Sequence, residues 1–495
     1  MPDDAERETD ADAEAAPDAG RDRTDGAGGA PVGPIDAAAV GRAYLDTRPW
    51  DLLTDLTAIG GRMGGSEGER RAAELVADAL RAAGVGDVRF EPFETNRWTR
   101  GTTTFDLLAP VERSFEAVAL PYSPPGTIEG ELVDVGYGTP VEIDRADVRD
   151  AVVVASTTTP PGSRFVHRME KFGYALDAGA AGFVFVNHVP GQLPPTGALR
   201  FGEEAAAPAV GVSKETGGWL REYAREGTPT GPAVDPTPSA GGDVPSPDGD
   251  AGRVRYAVDA ETDRAESRNV VGHVGPDTDE ELVLVAHYDG HDIADGALDN
   301  GCGVATVLVA ARILAASADD LPIGVRVALV GCEETGLTGS ERLADDLDLD
   351  RVRAVVNVDG AGRHRQLVAM SHTSGATRAA AERVGARTHQ PIDVDPEPHP
   401  FSDQWPFVRR GVPALQLHSD GGERGRGWGH THADTRDKVD DRNVREHGVL
   451  AALLVAELAR TDVPRLDRGE LQASFRAAEF EPGMRAAGLW PEDWD

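Results

Sequence analysis

Between positions 281 and 417 one pattern recurs along the chain: a short, mostly apolar run rich in branched residues, then glycine with acid or imidazole. Val283, Leu284 and Val285 form the first run, and 325–330, 354–358 and 413–417 form the others. Apolar runs without alternation are what strands buried on both faces require, so these segments predict the centre of a largely parallel sheet. Helical periodicity fills the spaces between them. The run VATVLVAARILAA (304–316), the segment 377–386 and the apolar-faced stretch 440–461, with Asp440 as its cap, predict covering helices. Nearer the amino end, ERRAAELVADALRAAGV reads as an amphipathic helix stopped at Gly84, and VRFEPFE alternates as a strand.

The residues just beyond each run carry the chemistry. His287 and Asp289 come after the first strand, and Asp299 sits in the glycine-flanked loop GALDNGCG. Glu333 and Glu334 come after the second strand, Asp359 after the third, and His430 lies in GHTHADT beyond the fourth. Ligands of open α/β sheets bind outside the carboxyl ends of the strands. Imidazoles and carboxylates gathered there suit zinc, with cobalt or manganese as alternatives for similar donors.

The motifs AHYDG, GALDNGCGVA, GCEETGLTGS, VVNVDG, SDQWPF with GVPAL, and HTHADT resemble, in order and spacing, the co-catalytic di-zinc aminopeptidases of metallopeptidase family 28. The resemblance implies a three-layer α/β sandwich with a mixed, mainly parallel sheet. It also implies one zinc on His287 and Asp359, a second on Glu334 and His430, and Asp299 bridging them. Glu333 becomes the general acid/base, and Asp289 orients His287. Ser402, Asp403 and Phe407 match the family's approach to the site, with Asp403 and His418 as candidate substrate contacts. Many relatives have a tyrosine before the last histidine that steadies the oxyanion. Gly429 stands there in this chain, leaving the metals, His418 or His372 as substitutes. The activity implied is removal of N-terminal residues from peptides. A carboxypeptidase-type or glutaminyl-cyclase-like activity, and an inactive peptide-binding protein, are the alternatives.

Composition bounds the rest. At 495 residues the chain exceeds one ordinary core, and GRMGGSEGERRAAELVADALRAAGV resembles the entry of the same family. The catalytic domain is therefore expected to be split, 35–106 and 253–465. A smaller α+β insertion at 107–252 resembles the protease-associated domain through KFGYALDAGAAGFVFVNHVPG and PAVGVS. Its His167 and His188 are read as lacking acidic neighbours at ligand spacing and are expected to be structural or exposed. Residues 1–34 read as a disordered acidic tail, 227–252 as a Pro/Gly linker, and 466–495 as a polar C-terminal tail of open purpose.

A formal charge of −36 argues against nucleic acid and anionic membranes as partners, and lysine is confined to Lys171, Lys214 and Lys438. Acid excess with little lysine resembles halophile proteins. With no signal-like start and no stretch expected to span a bilayer, the expected location is cytoplasmic. Cys302 and Cys332 are expected reduced and packed rather than bridged or metal-bound. Oligomeric state is not legible.

Overall fold

The computed structural model describes residues 35–226, 251–422 and 427–495. The predicted acidic tail and nearly all of the predicted linker lie outside the described residues.

The predicted strands are Glu281–His287, Gly324–Val330, Val352–Val358 and Ala414–Ser419. They pair in parallel, with Glu281–His287 between Gly324–Val330 and Val352–Val358, and Ala414–Ser419 beyond the latter. Leu367–Met370 joins Ala414–Ser419 antiparallel and carries Ile392–Asp395 outside it. Helices cover both faces. Cys302–Ala316, Asp441–Leu458, Arg48–Thr57 and Glu67–Ala83 bury their apolar residues on one face. Thr338–Asp346 and Arg468–Ala477 lie on the other. Ser66 and Gly84 close the ends of Glu67–Ala83: the Ser66 hydroxyl accepts the Glu69 N–H, and Gly84 adopts φ 91°, which favours a residue without Cβ.

The stretch 297–316 is long and apolar enough to cross a bilayer, against the expectation from sequence, but 94% of its most apolar window is buried in the sandwich. It is a core helix.

Two long strands, Gly86–Ala109 and Arg253–Val274, run antiparallel along nearly their whole length. At one end Arg253–Val274 pairs with Gly324–Val330 of the catalytic sheet. At the other it pairs with Gly126–Asp134, the first strand of a second unit. There Gly126–Asp134, Val152–Ser156, Gly182–Val186 and Ala209–Val212 pair in parallel. One continuous sheet therefore joins the two units.

The C-terminal segment packs tightly. Helices Arg468–Ala477 and Glu481–Ala486 bring Phe475, Phe480, Trp490 and Trp494 into one aromatic cluster with Trp405. Arg164 of the second unit donates to the Glu479 carbonyl at 2.8 Å and lies over the Phe480 ring, so this segment also braces the second unit.

Candidate metal centre and active site

His287 ends its strand fully buried, with Nδ1 3.2 Å from Asp289 Oδ1. The two oxygens of the same carboxylate accept the backbone N–H groups of Glu333 at 3.2 Å and Glu334 at 3.1 Å. Asp289 thus fixes an imidazole and the neighbouring loop at once. Cys332, at φ 58°, turns that loop off its strand, and its N–H is held by Glu69 at 2.9 Å. Arg62 donates to the carbonyls of Tyr288 at 3.1 Å and Gly296 at 3.0 Å, tying the His287 loop to the Asp299 loop.

Two groups of donors result. His287, Asp299 and Asp359 form one, and His291, Glu334 and His430 the other, with donor atoms within each group no more than 4.8 Å apart. Asp299 faces both, with Oδ1 3.5 Å from His287 Nε2 and Oδ2 3.1 Å from His430 Nε2. Asp434 accepts the N–H groups of Leu298 at 2.5 Å and Asp299 at 3.1 Å, which fixes that carboxylate. Ser402 donates to Asp359 at 2.7 Å, and His430 Nδ1 stands 3.2 Å from the carbonyl of Thr196 in the second unit.

Buried His287 Nε2 and Glu334 Oε1 have no hydrogen-bond partner. Buried polar atoms are normally satisfied, and converging nitrogen and oxygen donors left in this way fit divalent cations.

Burial pushes Glu333 well above the carboxylate range, and Glu334, Asp359 and Asp403 add to the rise while His287 opposes it. Burial also raises Asp299, but Arg363, His287 and His430 outweigh it and hold that carboxyl well below its usual value. Arg363 Nη2 lies 2.8 Å from Asp299 Oδ1.

The cavity over these groups is lined by Asp299, Glu333, Glu334, Asp359 and His430 from below, and by His167, Arg168 and Phe201 of the second unit with Phe401. His167 has the structural role expected of it and a further one. The residue is buried, caps the helix Arg168–Asp177 and stacks on Phe401 at 4.1 Å, yet it also faces the cavity. His188 lies in an adjoining groove of about 480 Å³ that runs from Thr157 past Arg168 to His430.

The two candidate substrate contacts lie elsewhere. Asp403 is fully buried, with neither oxygen hydrogen-bonded and its carboxyl raised by burial to about 7. His418 sits on Ala414–Ser419 opposite Val368. Neither lines the cavity, and His372, wholly buried, does not either. His432 points away to the Ile293 carbonyl at 3.1 Å. Arg409 and Arg410 pair with Glu341 on Thr338–Asp346 rather than with the acidic cluster. Both cysteines are buried and free, and neither belongs to a donor group.

Sequence reasoning missed His291, Arg62, Glu69 and Arg168. A His-x-Asp-x-His reading of 287–291 would have found the first. The GRMGGSEGE phrase carries the next two, but their partners lie far along the chain.

Comparison with known proteins agrees with this arrangement. Residues 269–455 match the model of peptidase family M28, and 128–220 match the PA domain. Aminopeptidase YwaD of Bacillus subtilis is 24% identical over 426 residues, 82% of this chain and 83% of that protein. Leucine aminopeptidase 2 of Trichophyton rubrum is 26% identical over 71% of this chain and 67% of its own length. Among solved structures, an M28 peptidase precursor from Shewanella amazonensis superposes with a TM-score of 0.69 at 21% identity, covering 87% of this chain and 97% of that one. The Aneurinibacillus sp. strain AM-1 aminopeptidase gives 0.61 at 22% identity over 87% and 97%. With the donors at the strand ends and a PA domain carried on the long strand pair, residues 269–455 form a peptidase domain of family M28.

Proposed function

We propose that the protein is a di-zinc aminopeptidase that removes N-terminal residues from peptides. The observation that carries this reading is the pair of buried donor groups sharing Asp299, with Glu333 beside them. His287, Asp359 and Asp299 would hold one ion, and Glu334, His430 and Asp299 the other. Bound there, the ions would polarise the scissile carbonyl and make water acidic enough to attack it near neutral pH.

The chain's own residues do the rest. Glu333, one oxygen 4.0 Å from His287 Nε2, takes the proton of the attacking water and delivers it to the departing amine nitrogen. Asp289 holds His287 in one orientation and keeps the Glu333 backbone in place. The groove beside His430 gives room for the rest of the peptide.

Arg168 supports a second reading. A guanidinium on the cavity wall suits a substrate carboxylate, as a carboxypeptidase-type enzyme would need. Hydrolysis of free, N-acetylated and C-amidated dipeptides, with wild type and Glu333→Ala loaded with zinc, separates the two. Cleavage that needs the free amine and disappears in the variant at unchanged metal content supports the aminopeptidase. Cleavage of N-acetylated but not C-amidated substrates supports the carboxypeptidase. The acidic composition leads us to propose activity in molar salt, tested by repeating the assay across salt concentrations.

A further inference from the structure

His291 stands four residues beyond His287, and neither the acid/base step nor the family pattern uses it. It is buried, and its Nε2 lies 2.9 Å from Glu334 Oε2. His430 Nε2 lies 3.1 Å from that same oxygen and 3.1 Å from Asp299 Oδ2. The two imidazoles meet edge to face, 4.3 Å between centroids and 82° between planes. The ring nitrogens of His291 are poorly aligned for hydrogen bonds, although Nε2 stands at ion-pair distance from Glu334. Donors on a tetrahedral ion with bonds of about 2.0–2.1 Å stand roughly 3.3 Å apart along each edge, close to the spacings found here. The loop is built to hold the ring there: Asp292, the next residue, is gripped by Arg100 through Nε at 2.9 Å and Nη2 at 2.7 Å.

We propose that His291 is an additional donor at the second metal position, which then has four protein donors: His291, His430, Glu334 and Asp299. The first position keeps three, His287, Asp359 and Asp299. This rests on the metallopeptidase reading above and deepens it. A position with four protein donors is closed, whereas one with three keeps a place for water or substrate. The two positions therefore differ in duty. The second is an anchor, retained tightly and selective for zinc or cobalt because two imidazoles serve it. The first, richer in oxygen, exchanges readily and accepts manganese. The open place lies on the Glu333 side.

The test uses full-length protein stripped by chelator and titrated with Zn²⁺ by equilibrium dialysis and with Co²⁺ by visible absorption. Wild type is expected to bind two ions, one surviving chelator that removes the other, with the tighter cobalt giving the intense bands of four-coordination. His291→Ala should lose the intense bands. Its tight site should weaken by more than the roughly 10–100-fold that loss of an outer hydrogen-bond partner costs. His291→Asn retains hydrogen-bonding ability in a smaller side chain and should behave like the alanine variant. Wild-type affinity and spectrum in both variants overturn the proposal and leave the di-metal reading standing. Wild-type affinity in His291→Asn alone assigns the residue to hydrogen bonding and also overturns it. No metal binding by the wild type sinks both.

Discussion

The floor and the roof of the active-site cavity are built on different principles. The floor is the row of strand ends, where His287, Glu333, Glu334 and Asp359 follow three adjacent parallel strands in register. Each side chain there is placed by a backbone ladder a few residues away. The roof is His167, Arg168 and Phe201, more than 80 positions earlier in the chain, and it is placed by docking. What fixes it is the long strand pair, the Thr196 carbonyl on His430, and the brace from Arg164 to Glu479. The floor can therefore be edited one residue at a time, whereas the roof responds as a body.

The difference is open to attack from both sides. Glu333→Gln, on the floor, should lower kcat by about 10²–10⁴-fold, the range for losing a general acid/base. Zinc content, measured by atomic emission, should stay unchanged. Asp289→Asn should weaken metal affinity by about 10–100-fold through the freed His287 ring. Competition with a chelator reads this directly, and an unaltered affinity would mean that Asp289 serves the loop alone. Arg168→Ala, on the roof, should lower kcat/KM by about tenfold, the equivalent of one charged contact of ~1.4 kcal/mol. Arg168→Lys should restore part of the loss, and steady-state kinetics with no change in either variant would make the roof a bystander.

A separate effect concerns the roof unit's own stability. Lys171 is buried, donating to the carbonyls of Ser156 at 2.8 Å and Thr158 at 2.5 Å, and burial pulls its pKa down to about 7. An unfolded lysine titrates near ~10.4, so between these values the unfolded chain carries the extra proton and stability rises with pH. Below about pH 7 the cost of the buried charge is present in full. Wild type should therefore gain Tm relative to Lys171→Met as pH climbs from 7 to 10, by on the order of 10 °C at ~1.4 kcal/mol per pH unit and about 2–4 °C per kcal/mol. Thermal melts at several pH values check it, and parallel curves would show that the lysine does not titrate there.

The same division explains what could be read from the sequence. The strands, the core helices and the floor donors were legible because each obeys a short-range rule: mostly apolar runs, helical periodicity, acids after a strand. His291 obeys the same rule at a spacing of two from Asp289, but it falls outside the five-donor pattern that the family resemblance supplies. Arg62, Glu69 and Arg168 obey no local rule, since their partners lie across the fold. Sequence neighbours likewise say nothing of His167, whose ring rests on Phe401. Asp403 looks like a substrate contact because its segment approaches the site, but the segment turns that carboxyl into the protein beneath Glu333. The tail from 466 onward looks merely polar because its aromatic residues are spread thinly and meet only once two short helices fold back on Trp405.

The long strand pair also has the properties of a lever. Arg253–Val274 has 22 residues, which at ~3.3 Å each reach ~70 Å, and its ladder with Gly86–Ala109 loses register between Arg100 and Thr103. Bending at that irregularity by about 5° displaces the end nearer the second unit, ~20 Å away, by roughly 2 Å. Arg100, at the fulcrum, also grips Asp292 beside His291. Arg100 consequently ties the strand pair that carries the roof to the loop that carries His291.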